Sequence, residues 1–472
     1  MIYTYIEKGL LRAVELVDLL LGEQYISSTS ISTNLSCTPV TITNDINYLR
    51  STLHITILEN EAGDYRIDPF TEGNRDTISK KIYAESLFLK AVAYFLKPAE
   101  KKYIDFIDEQ YISVSKGYLL RATVEKFLNE LELTISDNQI TGNIIKIRFL
   151  ASILTRQFGL NLINTDEEIT IKSLDVLKVI EQNLNITFSN SEKSFFDSLL
   201  QTTVASNIPQ GSLHFPAVAL ETINKYLRPK DFDKVLKSNF ASIWGERFED
   251  EYLFTALSLM VINTHVFDQK MDPETLAAYR ENFLSDPSVK RLTDLFEEAF
   301  STDLISKDWF LSAIFTFLKD TTLDLHPLIS TEYLRIDKAD SEFFTKVKQV
   351  IQEWNIYGLN ITEKHINVLC CRLNPFIIKK QVSTIALISE NSIDSHITQM
   401  MIKDFLPQTI RFTIHSDLAA AEKNTDSLDK TLFVIDKNAS LPKKCDPSVR
   451  SLFIDFPPGT TDLKKILSCT FL

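Results

Sequence analysis

Glycine is scarce in this chain, with 11 residues in 472 against a usual share of about 7%. That scarcity argues against nucleotide folds built on glycine-rich cradles, and no Walker or dinucleotide glycine pattern occurs. Cysteine is thin too. Cys37, Cys370, Cys371, Cys445 and Cys469 are odd in number and form no CxxC pair, which excludes a disulfide framework or zinc ribbon and fits a reducing compartment. Cys370 and Cys371 are adjacent in an apolar helical stretch and read as core. No apolar run reaches the roughly 20 residues of a membrane span, and no cleavage-site pattern follows the first apolar helix. A cytoplasmic protein without membrane contact is expected. There is no nucleophile elbow, metal-ligand cluster or convincing carboxylate pair, so no enzyme, catalytic residue, metal or cofactor is expected. Basic charge is also short. A net charge of −13 is the wrong sign for a general polyanion binder, so any contact with nucleic acid has to come from a local patch.

What the chain does contain is a helix-turn-helix pattern, used twice. Thr38 is placed to cap a helix and Pro39 takes its first position. Ile42, Ile46 and Leu49 then recur at spacings of four and three and line one buried face. The opposite face carries Pro39, Val40, Thr43, Asn44, Asn47 and Arg50, groups able to approach base edges and phosphates. Ser28 to Leu35 offers the preceding short helix, and Gly9 to Leu21 an apolar one before that. His54–Leu58 and Tyr65–Ile67, joined by the turn-rich segment 59–64, predict a two-stranded wing.

About 75 residues later the grammar repeats. Ile78 to Leu96 reads as one long helix and Lys101 to Gln110 as a shorter one. A further helix opens at Ser115, which takes the capping slot of Thr38. Leu119, Phe127, Leu128 and Leu131 are expected inward, with Lys116, Tyr118, Arg121 and Lys126 largely elsewhere. Leu133–Ile135 and Gln139–Thr141 form a second wing. Residues 1–68 hold 4 Lys/Arg against 9 Asp/Glu, whereas residues 75–126 hold 10 against 7. Phosphate neutralisation dominates affinity for duplex DNA, so the second unit is expected to supply more of the binding energy, led by Lys116 and Arg121. Two such units at one end of a long chain point to a DNA-binding regulator.

The middle of the chain reads as two helical blocks. Candidate helices include Pro216–Leu227, Phe248–Val266, Lys307–Lys319 and Glu363–Arg372, punctuated by Asp-Pro at 272–273 and 286–287. Each block carries two histidines, His214 and His265, then His326 and His365. Histidine accepts phosphoryl groups and titrates near neutrality, which makes these four the switch candidates. After Lys379, four compact apolar runs (384–389, 409–414, 431–436 and 451–455) alternate with helical stretches, implying a small parallel α/β domain of about 90 residues.

This order resembles the Mga/AtxA family of transcriptional regulators. The resemblance is carried by three stretches: the opening from Ile2 to Leu21 with Glu7-Lys8-Gly9-Leu10-Leu11-Arg12, the helix from Ser115 through Arg121, and the junction Thr141-Gly142-Asn143-Ile144-Ile145-Lys146-Ile147-Arg148. It implies a mainly α multidomain protein. Residues 1–70 and 71–165 would be winged helix-turn-helix units. Residues 166–276 and 277–380 would be all-α phosphotransferase-regulation domains, and 381–472 a domain like the IIB component of sugar phosphotransferases. It further implies promoter DNA as partner, a homodimer joined through the C-terminal domain, and control by histidine phosphorylation from the phosphocarrier protein of the sugar phosphotransferase system. His214, in Ser212-Leu213-His214-Phe215-Pro216 at a helix entry, is the favoured acceptor of the first block. True IIB proteins carry a phosphocysteine after the first strand; Ser389-Glu390-Asn391 stands there in this chain, so contact rather than phosphoryl transfer is expected of that domain. A phosphorelay-linked interaction scaffold without direct DNA binding is the alternative reading. An RNA-binding antiterminator ranks below it, because such proteins begin with a small β-rich module.

Overall fold

The computed structural model describes residues 2–22, 24–68, 72–73, 75–97, 102–215, 232–262, 267, 273–322, 325, 328, 341–355, 358–359, 361–377, 382–403, 405–406, 410–425, 428–439 and 450–471. The chain is mostly helical, with a small parallel sheet near its C-terminus. It divides into two compact units. One comprises Met1–Glu297, Asp303–Arg335 and Glu353–His365; the other comprises Glu298–Thr302, Ile336–Gln352 and Ile366–Leu472.

The first unit begins with two similar modules. In the first, α1 (Lys8–Leu20), α2 (Ser28–Asn34) and α3 (Pro39–Ser51) precede an antiparallel hairpin of β1 (Ile57–Glu59) and β2 (Tyr65–Ile67). Leu21 and Ile26 bridge to β2, so the segment after α1 adds a third edge to the wing. In the second, α4 (Arg75–Tyr83), α5 (Leu87–Leu96), α6 (Tyr103–Glu109) and α7 (Val114–Glu130) precede β3 (Thr134–Ser136) and β4 (Gln139–Thr141). The long helix expected over Ile78–Leu96 is therefore two. Ser86 stops the continuation by taking extended backbone and accepting the Leu89 N–H on its hydroxyl, which restarts the helix as α5.

Helix α8 (Ile144–Arg156) follows the second hairpin, and every residue from Ile145 to Leu154 in it is buried. A helix buried all round needs neighbours on each side. Helix α8 packs on the second module's α5 and β4 and, among the helices that follow, on α10 (Asn190–Gln201) and, through Arg148 and Phe149, on α12 (Phe248–Ile262). In turn, α9 (Glu167–Leu184) packs on α10 and on α11 (Phe232–Trp244). The same unit contains α13 (Pro273–Leu284), most of α14 (Pro287–Phe300) and α15 (Asp308–Thr322). The expected helix Pro216–Leu227, together with His265 and His326, lies outside the described residues.

In the second unit, after α16 (Ser341–Trp354) and α17 (Glu363–Ile377), which both span the boundary between the units, comes a four-stranded parallel sheet. Its strands are β5 (Thr384–Ile388), β6 (Arg411–His415), β7 (Thr431–Asp436) and β8 (Arg450–Ile454), in the order β6-β5-β7-β8. Alternation sorts the side chains. Ile385, Leu387, Leu432 and Val434 pack with Ile402 of α18 (Ser392–Lys403) and Ile466 of α20 (Thr460–Phe471). Ala386, Ile388, Phe433 and Ile435 pack on the other face with α19 (Leu418–Lys423). Both faces are covered, which is why β5 and β7 read as unbroken apolar runs.

Candidate nucleic-acid interface

The two helix-turn-helix turns correspond in sequence at an offset of 75. Ser36 and Tyr111 both adopt left-handed backbone (φ 50° and 51°), the conformation that lets two helices meet through a short turn. Two residues later, Thr38 accepts the Thr41 N–H (3.3 Å) and Ser113 accepts the Lys116 N–H (3.3 Å). The cap of the second helix is thus Ser113, not Ser115, which sits inside the first turn with its side chain exposed. Both serines are capping types; the left-handed turn at Tyr111 leaves a single residue before the cap and so selects Ser113.

Inward packing keeps the same offset at Ile42/Gly117 and Leu49/Val124, whereas the half-buried Arg121 stands where Ile46 stands. Ile42, Ile46 and Leu49 of α3 are buried; on α7 the buried residues are Gly117, Val124, Phe127 and Leu128. Gly117 stands where Ile42 stands, and a Cβ built there would lie 2.5 Å from Ile107 Cγ1 of α6. The Tyr103 hydroxyl donates to the Gly117 carbonyl at 2.8 Å. Glycine therefore sets the close approach of α6 and α7, a role hidden in sequence because glycine reads as a helix breaker. Leu119, expected in the core, is 70% exposed. Its position, two residues from Gly117, turns it away from α6.

The outward faces carry the remaining candidates. Pro39, Thr43, Asn44 and Asn47 are exposed on α3. Arg50 is spent within its module: its guanidinium donates to the Ile57 carbonyl (2.8 Å) and to Glu59 (3.2 Å), and lies over the Tyr65 ring, tying α3 to its wing. Ser115, Lys116, Tyr118 and Lys126 are exposed on α7. Among the described residues, neither Lys116 nor Lys126 is ion-paired. Arg121 resembles Arg50. It pairs with Glu125 (2.9 Å), donates to Asn138 in the wing turn (3.3 Å) and lies over the rings of Phe95 and Tyr103. That turn, Asp137-Asn138, has positive φ at both residues, as a two-residue hairpin turn requires.

Further residues, with no binding role expected from the sequence, hold the two modules together and brace the first. The Glu7 carboxylate accepts from Ser86 Oγ (2.6 Å) and from the Phe88 N–H (3.2 Å) at the start of α5. Tyr5 stacks on Phe88 and its hydroxyl meets Glu130; Arg75 pairs with Asp18. Arg12 makes a two-bond pair with Asp45 (2.6 and 3.0 Å), fixing α3 on α1 and holding the guanidinium pKa above its ordinary value.

The histidines are set apart from this surface. His214 is exposed, with Nδ1 3.2 Å from the Ser212 carbonyl. His365 is buried, and its Nδ1 accepts the Thr362 N–H at 3.1 Å at the start of α17. In the second unit, Ser389 is buried at the end of β5 and its hydroxyl donates to Asp436 at the end of β7 (2.9 Å). Among the described residues, no group of three or more His, Cys, Asp or Glu side chains is placed to hold a metal ion. No described helix is long and apolar enough to cross a membrane.

A short helix, a capped turn and a second helix with an exposed polar and basic face, followed by a hairpin, define a helix-turn-helix domain. Residues 73–154, which run from just before α4 into α8, match the family described as the Mga helix-turn-helix domain. None of the curated proteins compared with the chain matches it.

Proposed function

We propose that this protein is a DNA-binding transcriptional regulator of the Mga type that engages promoter duplexes through two winged helix-turn-helix units. The observation that carries the reading is the Mga helix-turn-helix match over a segment whose α7 presents Lys116 and Lys126 at its surface, without an ion pair among the described residues. The first module supports the reading of a pair, because its turn and cap repeat at a fixed offset and a hairpin follows the second helix in each module. Arg50 and Arg121 then act chiefly by bracing each wing on its helix. The decisive experiment is fluorescence anisotropy of the full chain on promoter-length duplexes across a salt series, beside Lys116→Ala/Lys126→Ala. Salt-dependent binding whose log–log slope falls by up to about 2 in the variant, one for each phosphate no longer neutralised, is expected. No binding at any salt would overturn the reading and favour the interaction scaffold.

Regulation is proposed to run through His214 rather than His365. His214 is exposed, whereas His365 is buried with Nδ1 engaged in a helix cap. The segment leading to His214 also touches the DNA-binding module: the Gln210 side-chain oxygen accepts from Arg148 at 2.8 Å, and Gly211 lies against Ile144, the first residue of α8. A phosphoryl group from the phosphocarrier protein adds roughly two negative charges there. Self-association is proposed to use the second unit, where Ser389 is committed to Asp436 and α18 carries an exposed apolar stripe.

A further inference from the structure

The two outward helix faces differ in chemistry at matching positions. On α3 they are Thr43, Asn44 and Asn47; on α7, 75 residues on, they are Tyr118, Leu119 and Ala122, all exposed. Leu119 is 70% and Tyr118 57% exposed, and Val114, one turn earlier, is 51% exposed. The centre of α7's outer face is therefore apolar, where that of α3 is amide. Leu119 and Ala122 have no side-chain hydrogen-bonding group. Arg121, the neighbour able to read guanine bidentately, is held by Glu125 and Asn138 and stacked over two rings.

In the major groove, the apolar group on a base edge is the C5-methyl of thymine, and the group suited to a paired carboxamide is the N6/N7 edge of adenine. Resting on the DNA-binding reading above, we propose that the protein selects A·T-rich duplex by two chemistries. Leu119 and Ala122 contact thymine methyl groups from α7, and Asn44 and Asn47 read adenine from α3. The charge around the strip identifies the occupant. Lys116 precedes it and Lys126 follows it, both exposed and, among the described residues, without an ion pair. An apolar strip bounded at both ends by cations suits a groove walled by phosphates.

Thymine and uracil differ by that methyl alone, so they separate the apolar contact from base pairing. The full chain would be used to select duplexes from a random-sequence library. The enriched duplex would then be compared with its uracil-substituted form by anisotropy. Wild type should bind the uracil form more weakly, by about fourfold for each thymine methyl that the strip buries, the value of one buried methyl group. Leu119→Ser should erase that difference, while Lys116→Ala weakens both forms equally. Equal binding of the two forms by wild type would overturn the inference and leave the DNA-binding reading standing. A thymine preference that survives in Leu119→Ser would likewise overturn it, as would a Leu119→Ser chain altered only in sedimentation, which would assign the strip to a protein partner. Failure to bind any duplex would remove both the inference and the reading beneath it.

Discussion

Arg148 and Glu251 meet as a two-bond ion pair, at 2.6 and 2.9 Å, with the arginine fully buried and the glutamate 1% exposed. Arg148 belongs to α8, within the matched helix-turn-helix segment; Glu251 belongs to α12 of the helical block. Arg247 also pairs with Glu251 (3.0 Å), and the Gln210 side chain accepts from both arginines. The network therefore joins the DNA-binding module to the helices that follow it. Removing one partner leaves a buried charge uncompensated, which costs about 3–5 kcal/mol. Glu251→Gln, which strands the buried Arg148, should destabilise by about that much in urea denaturation. Arg148→Met should cost less, because Arg247 still neutralises Glu251, and Arg148→Met/Glu251→Leu should recover much of the Glu251→Gln deficit. Glu251→Gln within about 1 kcal/mol of wild type would show that the pair is not a structural joint.

Gly117 gives a second prediction. Alanine is favoured over glycine within a helix by about 1 kcal/mol, so Gly117→Ala on an open face would stabilise. Here the new methyl meets Ile107, which is 1% exposed and cannot swing away, and overpacking of this kind costs about 1–3 kcal/mol. Net destabilisation and weaker duplex binding are expected. Ile107→Ala in the same chain should restore affinity by making room between α6 and α7. Unchanged melting of Gly117→Ala would mean that the helices do not rely on this approach.

Much of this was legible in the sequence, for physical reasons that vary by element. The first module announced itself because Thr38-Pro39 is a cap followed by a residue suited to the first helical position, and Ile42, Ile46 and Leu49 keep one period. The sheet was legible because strands covered on both faces become compact apolar runs. Leu119 misled because apolarity normally signals burial, and a surface residue shaped for a partner breaks that rule. The Arg148–Glu251 pair left no local signal, since 103 residues separate its members. Arg50 and Arg121 looked like phosphate ligands because sequence gives their charge but not their partners.

His415 ends β6 partly buried, and its Nε2 has no hydrogen-bond partner among the described residues. Burial holds its pKa below the ordinary imidazole value, an effect that nearby Asp417 opposes but does not cancel. The unfolded chain thus takes up a proton at a pH where the folded chain does not. Stability from this residue is complete above about pH 6.5 and is lost as pH falls through the lowered folded value. His415→Gln should flatten the fall in stability between about pH 7 and about pH 5, read by denaturant titration at each pH. Parallel curves for the two chains would refute the assignment.

Ile393, Ile397, Met400 and Phe405 are 69%, 40%, 72% and 60% exposed along α18 and just beyond it, while Ser395, Thr398 and Ile402 of the same helix are buried. The helix is thus buried on one face and partly apolar on the other, and a contiguous exposed apolar patch marks a contact surface. If self-association uses this stripe, Ile397→Asp/Met400→Asp should shift sedimentation toward monomer with unchanged circular dichroism. An unaltered distribution would move the interface elsewhere.

If both modules contact DNA as proposed, the lock between them fixes how the DNA site is spaced. Glu7 holds Ser86 and the Phe88 N–H, so the start of α1 and the start of α5 are fixed to one another, and Tyr5 and Arg75 reinforce the joint. Recognition helices on a rigid frame can address only one helical phase of the duplex, and half a turn is about 5 base pairs. Inserting that length between the two contacted parts of a selected site should sharply weaken binding by wild type. Glu7→Ala removes the acceptor from Ser86 and from the helix start, which frees α1 to move relative to α5. Its affinity for the original site should fall, while the further weakening caused by the insertion should shrink. Equal insertion penalties in the two chains would show that one module alone contacts DNA, or that the frame is held by the aromatic contacts without Glu7; Tyr5→Ala distinguishes the two, because only the second predicts that it relaxes the spacing.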